Sequence, residues 1–149
     1  MKSMKSLLKN VKIEHVVDRT ADGQGTSTSS AIDMANYEGA LAIIPIGVSA
    51  ANGVVTAHLE QSSDNAVADD YTDVEGSAVT GTNADNTELV IDLAKASKRY
   101  VKVIVVTATG NSEIGPVLVL KYGPSKMPVV QGSNITDSAL LAGPAEGTP

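Results

Sequence analysis

Short runs of Val, Ile, Leu and Ala, each closed by Gly, Asn, Asp, Ser or Thr, recur about every ten residues from Val11 to Tyr122. A helix needs apolar residues at a period of about 3.6 over ten or more positions, and no stretch of this chain supplies that. The rhythm predicts many short strands joined by tight turns, and therefore an antiparallel sheet packed on itself. In VKIEHVVDR, residues Val11, Ile13, His15 and Val17 share one face and Lys12, Glu14 and Asp18 the other, the pattern of a half-buried strand. TADGQGTSTSS, from Thr20 to Ser30, reads as a loop, and Ala31 to Ala35 as a short strand.

GALAIIPIGV, from Gly39 to Val48, is almost wholly apolar and reads as a buried strand. Pro45 inside it has no N–H to donate to a ladder, which places that end at a sheet edge or a bulge. Asn52-Gly53 then marks a hairpin into Val54 to Gln61, with Val55, Ala57 and Leu59 on one face and Thr56, His58 and Glu60 on the other. Further strands are expected near Tyr71 to Val74, at Thr87 to Leu93, at Arg99 to Ala108 and at Pro116 to Tyr122. The segments from Gly76 to Asn86, AKASKR and GNSEIG read as loops or turns between them. RYVKVIVVTA is apolar on both faces and so belongs at the centre of a sheet. Seven or eight such strands argue for an antiparallel β-sandwich or jelly-roll-like single domain over residues 11–122. Residues 1–10 form an N-terminal arm with at most one helical turn. The tail, 123–149, holds four prolines and two small apolar knots, Met127 to Val130 and Leu140-Leu141, and reads as an extended arm.

The core must be aliphatic, because the 149 residues include no Phe or Trp and four Tyr against eighteen Val, nine Ile and ten Leu. Each buried aliphatic side chain contributes about 1.5 to 3 kcal/mol, so a subunit without large aromatics is expected to gain from oligomerisation. Cysteine is absent, which removes disulfides, thiolate metal sites and thiol catalysis. MKSMKSLLKN lacks the apolar run of a secretory signal, and no segment has the length or hydropathy of a membrane span.

Charge is segregated. No Lys or Arg occurs between Arg19 and Lys95, where twelve Asp and Glu fall, although the net charge is only −6. Lys2, Lys5, Lys9, Lys12 and Arg19 lie before that stretch, and Lys95, Lys98, Arg99 and Lys102 after it. An acidic body with basic ends suits docking on an acidic partner, since complementary fields steer association. Nucleic acid is an unfavoured partner, because the acidic body offers no basic face interleaved with aromatics.

Catalytic patterns are missing. His15 and His58 are far apart and read as ordinary strand residues. GNSEIG resembles a nucleophile elbow, but its last glycine comes one place late and it joins two strands, whereas the elbow turns from strand to helix. Asp64, Asp69, Asp70, Asp73 and Glu75 could offer oxygens to a hard cation such as calcium, but they match no EF-hand spacing and read as a solvated acidic turn. Asn134-Ile135-Thr136 is a glycosylation sequon by pattern alone. The expectation is a non-enzymatic protein with no catalytic residues, no cofactor and no metal.

From His58 to Val74 the chain reads HLEQSSDNAVADDYTDV, and later Lys98-Arg99-Tyr100-Val101-Lys102-Val103 opens a Val-rich strand. Over roughly residues 37–122 this resembles the small capsid decoration (auxiliary, or cement) proteins of tailed bacteriophages. In those proteins a strand ending Leu-x-x-Ser-x-Asp leads through a loop to an aromatic and Asp-Val, and a later strand opens Arg-Tyr-Val. Ser62, Ser63 and Asp64 suit a turn capped by side-chain hydrogen bonds, Tyr71 and Tyr100 are large enough to cover the core, and Val74 would close the hairpin.

The resemblance implies a structural virion protein made in the host cytoplasm. It would bind the outer surface of the capsid, commonly as a homotrimer, and cement the major capsid protein. Lys2, Lys5, Lys9 and Lys12 are the expected electrostatic contacts and Leu7 and Leu8 the apolar ones. Alternative readings are a carbohydrate-binding sandwich on a virion or cell surface, and a tail-tube or head-completion component.

Overall fold

The computed structural model describes residues 6–143 and 145–147. One helical turn, α1 (Leu7–Asn10), precedes ten strands: β1 (Lys12–Val17), β2 (Thr20–Thr28), β3 (Ile32–Asp33), β4 (Gly39–Ser49), β5 (Val54–Ser62), β6 (Thr72–Asp73), β7 (Val79–Thr82), β8 (Thr87–Leu93), β9 (Tyr100–Ile114) and β10 (Val117–Tyr122). Every pairing among them is antiparallel. The expected all-β class holds, with 50% strand and 3% helix.

Strand β4 organises the sheet. Its first half lies between β10 and β8, and its end passes to β9 through the pairs Ile46↔Ile114 and Ser49↔Ser112. β9 carries β5 on one side and β2 and β3 on the other, while β5 carries β6 and β7 on its far side. One layer is therefore β1-β10-β4-β8 and the other is built around β9 and β5, giving a sandwich-like domain. Pro45 stands opposite Glu88 of β8 but just past Ile43, the last β4 residue that β10 pairs, so its missing N–H falls on the side that β10 has left. Its carbonyl accepts from the Gly115 N–H at 2.8 Å.

The inner faces follow the period of two. Ala42, Ile44 and Ile46 of β4, Val55, Ala57 and Leu59 of β5, Val101, Val103 and Val105 of β9, and Val117 and Val119 of β10 form one aliphatic cluster. β9 is central and buries Ile104 on its outer side as well. Of the tyrosines, Tyr37 packs against this cluster. Tyr71 and Tyr100 do not join it; their rings lie under Lys102 and Arg99 instead.

Three loop expectations are overturned. Thr20 to Ser30 contains strand β2, because the edge of β9 takes a backbone partner whose own side chains need bury nothing. Gly76 to Asn86 contains β7, which covers the edge of β5. GNSEIG, of which only Gly115 falls in the turn to β10, continues β9 as far as Ile114, bent at Thr109, where φ is +67°. There β9 leaves β5 for β4. Gly110 is needed at the bend, since a Cβ would sit 2.9 Å from the Gly53 backbone nitrogen.

The facing of β1 is also inverted. Directly opposed residues of an antiparallel pair share a face. Glu14 opposes the buried Val119, and Lys12 opposes Lys121, only 3% exposed. Lys12 and Glu14 therefore point inward, and Ile13 and His15 outward. A bulge between His15 and Val17 then returns Val16 and Val17 to the core. The inward charges are matched: the Lys121 ammonium meets Glu14 Oε1 at 2.8 Å, donates to the Asp33 carbonyl at 2.9 Å and lies 4.6 Å from the Tyr37 ring centre.

Candidate functional site

Residues 129–134 of the tail meet residues 8–15 on the free edge of β1. β10 uses one side of β1, which leaves alternate N–H and C=O groups on the other side unpaired, an invitation to edge-to-edge association. Gln131 closes that edge. Its Oε1 accepts from the Ile13 N–H at 2.9 Å, and its Nε2 donates to the carbonyls of Val11 at 2.7 Å and Leu8 at 3.0 Å. Asn134 Nδ2 donates to the His15 carbonyl at 3.4 Å. Nearby, the Val129 N–H donates to the Lys9 carbonyl at 3.0 Å, which lays residues 127–130 along α1. Between tail and strand is a shallow cavity of ≈ 220 Å3 lined by residues 12–16, Ser30 and residues 132–134. The expected extended tail is thus, as far as Ile135, a strap on the body.

This contact fixes where the expected docking residues stand. Lys2 and Lys5 lie outside the described residues. Leu7 is 65% exposed, Lys9 is exposed and Leu8 is half-buried. Lys12 is held 3.5 Å from Glu14 and lines the cavity beside the tail. The tail adds Met127 and Val130, 51% and 81% exposed and the ends of the apolar knot noted in the sequence, and the exposed Lys126, which was not singled out there. Nothing in the isolated tail sequence marks Gln131, because its partners are backbone groups more than a hundred residues earlier.

The segregated charges recombine. Arg99 grips Asp33 through two hydrogen bonds, at 3.0 and 2.8 Å, Lys98 meets Asp69 at 2.7 Å, and Arg19 meets Glu113 at 2.6 Å. Arg99 bonded beside it is the main reason that the Asp33 carboxyl is lowered to about 2, and Lys98 does the same for Asp69, which is also lowered to about 2. Among the described residues, Lys9, Lys95, Lys102 and Lys126 make no ion pair, and of these Lys102 lies over the Tyr71 ring.

The acidic turn after β5 is built as a capped loop. Buried Ser62 Oγ donates to the Asp69 carbonyl at 2.6 Å and accepts from the Ala66 N–H at 3.0 Å. Asp64 accepts from the N–H groups of Val67, Ala68 and Asp69, and Asp69 from that of Ser63. These carboxylates are occupied by the loop's own amides. The Val74 N–H donates to the Leu59 carbonyl at 2.8 Å and closes the hairpin as the spacing suggested. Asp73 faces elsewhere, toward His58 on the outer surface of β5.

Ser112, the serine of the elbow-like motif, is 1% exposed and shares a 2.9 Å hydrogen bond with Ser49 Oγ across β4 and β9. It pins the corner where the two layers join. No helix among the described residues is long and apolar enough to cross a membrane. No protein-family model matches the chain, and no curated protein matches it in sequence.

Proposed function

We propose that this chain is a capsid decoration protein of a tailed bacteriophage, docking by the flank on which its tail meets α1 and β1. The observation that carries the reading is the composition of that flank. Leu7, Met127 and Val130 stand exposed there with Lys9 and Lys126, while of the body's cations Lys12, Arg19, Lys98, Arg99 and Lys121 are tied to carboxylates, Lys102 lies over the Tyr71 ring and the exposed Lys95 stands on the turn after β8. An apolar patch with unpaired cations at its margin fits an acidic protein surface, with burial supplying affinity and charge supplying orientation. The body contributes stiffness and the resemblance in sequence names the partner class.

Cementing follows from area and repetition. A standard interface of about 1,600 Å2, repeated over a symmetric shell and shared between neighbouring subunits, raises the cost of losing any one of them. Self-association as a trimer belongs to the same reading, and sedimentation equilibrium measures it.

Co-sedimentation with capsids of the encoding phage tests the proposal. The full chain is expected to pellet with the shells, and Leu7→Asp combined with Lys9→Glu to stay in the supernatant at physiological salt. Point variants are preferable to removing residues 1–10, because that deletion also removes the Leu8 carbonyl that Gln131 uses and the Lys9 carbonyl that Val129 uses. Undiminished pelleting of the double variant would exclude this flank, and failure of the full chain to pellet would exclude the function.

A further inference from the structure

At the opposite end of the strand order from β1, His58, Glu60 and Asp73 gather on the outer face of the β5–β6 pair. His58 and Glu60 alternate along β5 and so share a face, and Asp73 is the residue of β6 directly opposite Glu60. His58 Nε2 lies 3.4 Å from Asp73 Oδ1 and 3.9 Å from Glu60 Oε1, and one ligand atom from each of the three falls within 4.8 Å of the others. Glu60 and Asp73 are like charges at a directly opposed position, an arrangement that destabilises a sheet unless something positive stands between them.

The neighbouring cation does not fill that role. Lys102 opposes Glu60 from β9, but its ammonium lies over the Tyr71 ring, 4.1 Å from the centroid, and makes no ion pair with either carboxylate. His58 and Glu60 are half-buried and Asp73 is open to solvent. A pair of carboxylates is thus held beside a neutral-capable nitrogen donor with an open approach.

We infer that His58, Glu60 and Asp73 form a binding site for a divalent transition-metal cation of the zinc type. Zinc bonds to imidazole nitrogen and carboxylate oxygen at about 2.0 to 2.2 Å, which places tetrahedral neighbours about 3.4 Å apart. The observed His58–Asp73 separation matches that edge and the His58–Glu60 separation exceeds it by a side-chain adjustment. Calcium is the poorer fit, because it takes six to eight oxygens and no nitrogen. Three protein ligands leave a fourth position for water or for a side chain of another molecule. The bound ion would clamp the two-residue strand β6, and with it the loop 63–71, to β5.

Calorimetric titration of the full chain with zinc chloride, with magnesium and calcium chloride as comparisons, tests the site. One zinc ion per chain is expected to bind, more tightly than either comparison ion. His58→Ala and Asp73→Asn should each weaken it by about tenfold or more, the size of loss that changes even outside the ligand shell bring. His15→Ala should leave it unchanged, although His15 also stands near a carboxylate, Asp18, at 3.1 Å. Asp73 is exposed enough that its variant folds whatever becomes of His58→Ala. The 15N shift of His58 Nε2 on adding zinc to the unmodified protein is an independent readout. Absence of zinc binding, binding that survives both site variants, or binding that disappears with His15→Ala overturns the assignment.

Discussion

β1 and β5 are written in nearly the same way and folded in opposite ways. Both alternate apolar with polar or charged residues around a histidine, VKIEHVV in one and VVTAHLEQ in the other. β5 puts its apolar set inward: Val55, Ala57 and Leu59 are at most 3% exposed, and His58 stands outside. β1 turns Lys12 and Glu14 inward and leaves Ile13 and His15 outside. The difference lies in the neighbours. β5 is flanked by β9 on one side and β6 and β7 on the other, and its inner residues Ala57 and Leu59 stand opposite Val105 and Val103. β1 is a margin strand beside β10, whose inward face ends in a lysine. Alternation thus states that two faces differ, and the adjacent strand decides which one is buried.

The largest effect that separates the two strands should come from shortening a side chain on each apolar set. Leu59→Ala is expected to cost about 3 kcal/mol in urea unfolding, within the range for buried leucines, whereas Ile13→Ala should cost about 1 kcal/mol. Equal losses would break the contrast and place Ile13 in the core. Next comes the lysine that reverses β1. Lys121→Ala leaves Glu14 without its closest cation and is expected to cost about 3 kcal/mol, while Lys12→Leu, Glu14→Val and Lys121→Leu together should recover most of it, as replaced buried ion pairs do. If the triple variant is no more stable than Lys121→Ala, the inward charges are not what β1 tolerates but what it requires.

A smaller effect is expected at the edge. Gln131→Ala removes three hydrogen bonds and should cost about 1 kcal/mol, seen mainly as faster amide exchange at Ile13 with little change in the β5 amides. Uniform acceleration in both strands would show that the strap supports the whole body.

The smallest effect concerns acid. Asp33 and Asp69 are both lowered to about 2 by their bonded partners, Arg99 and Lys98. A carboxyl lowered on folding stabilises at pH above its ordinary value near 4, and that stabilisation disappears as pH falls toward 2. Asp33→Asn with Asp69→Asn should therefore flatten the loss of stability between about pH 4 and pH 2, and change the strand contrast not at all.

Much of the sheet was legible because its strands bury a face: Gly39 to Val48, Val54 to Gln61, Thr87 to Leu93 and the start of β9 all lie where the apolar pattern put them. β2 and β7 escaped notice because a strand held by backbone bonds at an edge needs no apolar side chains. The continuation of β9 into GNSEIG escaped because turn residues also serve a bend. At the chain ends, Leu7 and Lys9 could be picked from the sequence, but Met127, Val130 and Gln131 could not be joined to them. His58, Glu60 and Asp73 were legible as residues and not as a cluster, since a 12-residue gap separates Glu60 from Asp73.

By itself the sequence determined the class: aliphatic runs at short spacing, broken by turn residues and lacking large aromatics, leave an antiparallel sheet as the structure that buries them. Tertiary structure alone decided which face of β1 is inner, where the segregated charges find their partners, and which distant residues share a surface. Those outcomes depend on groups more than sixty residues apart, such as Lys121 with Glu14, Arg99 with Asp33 and Gln131 with Ile13. No local pattern encodes such a pairing; only closure of the sandwich brings its members within bonding distance.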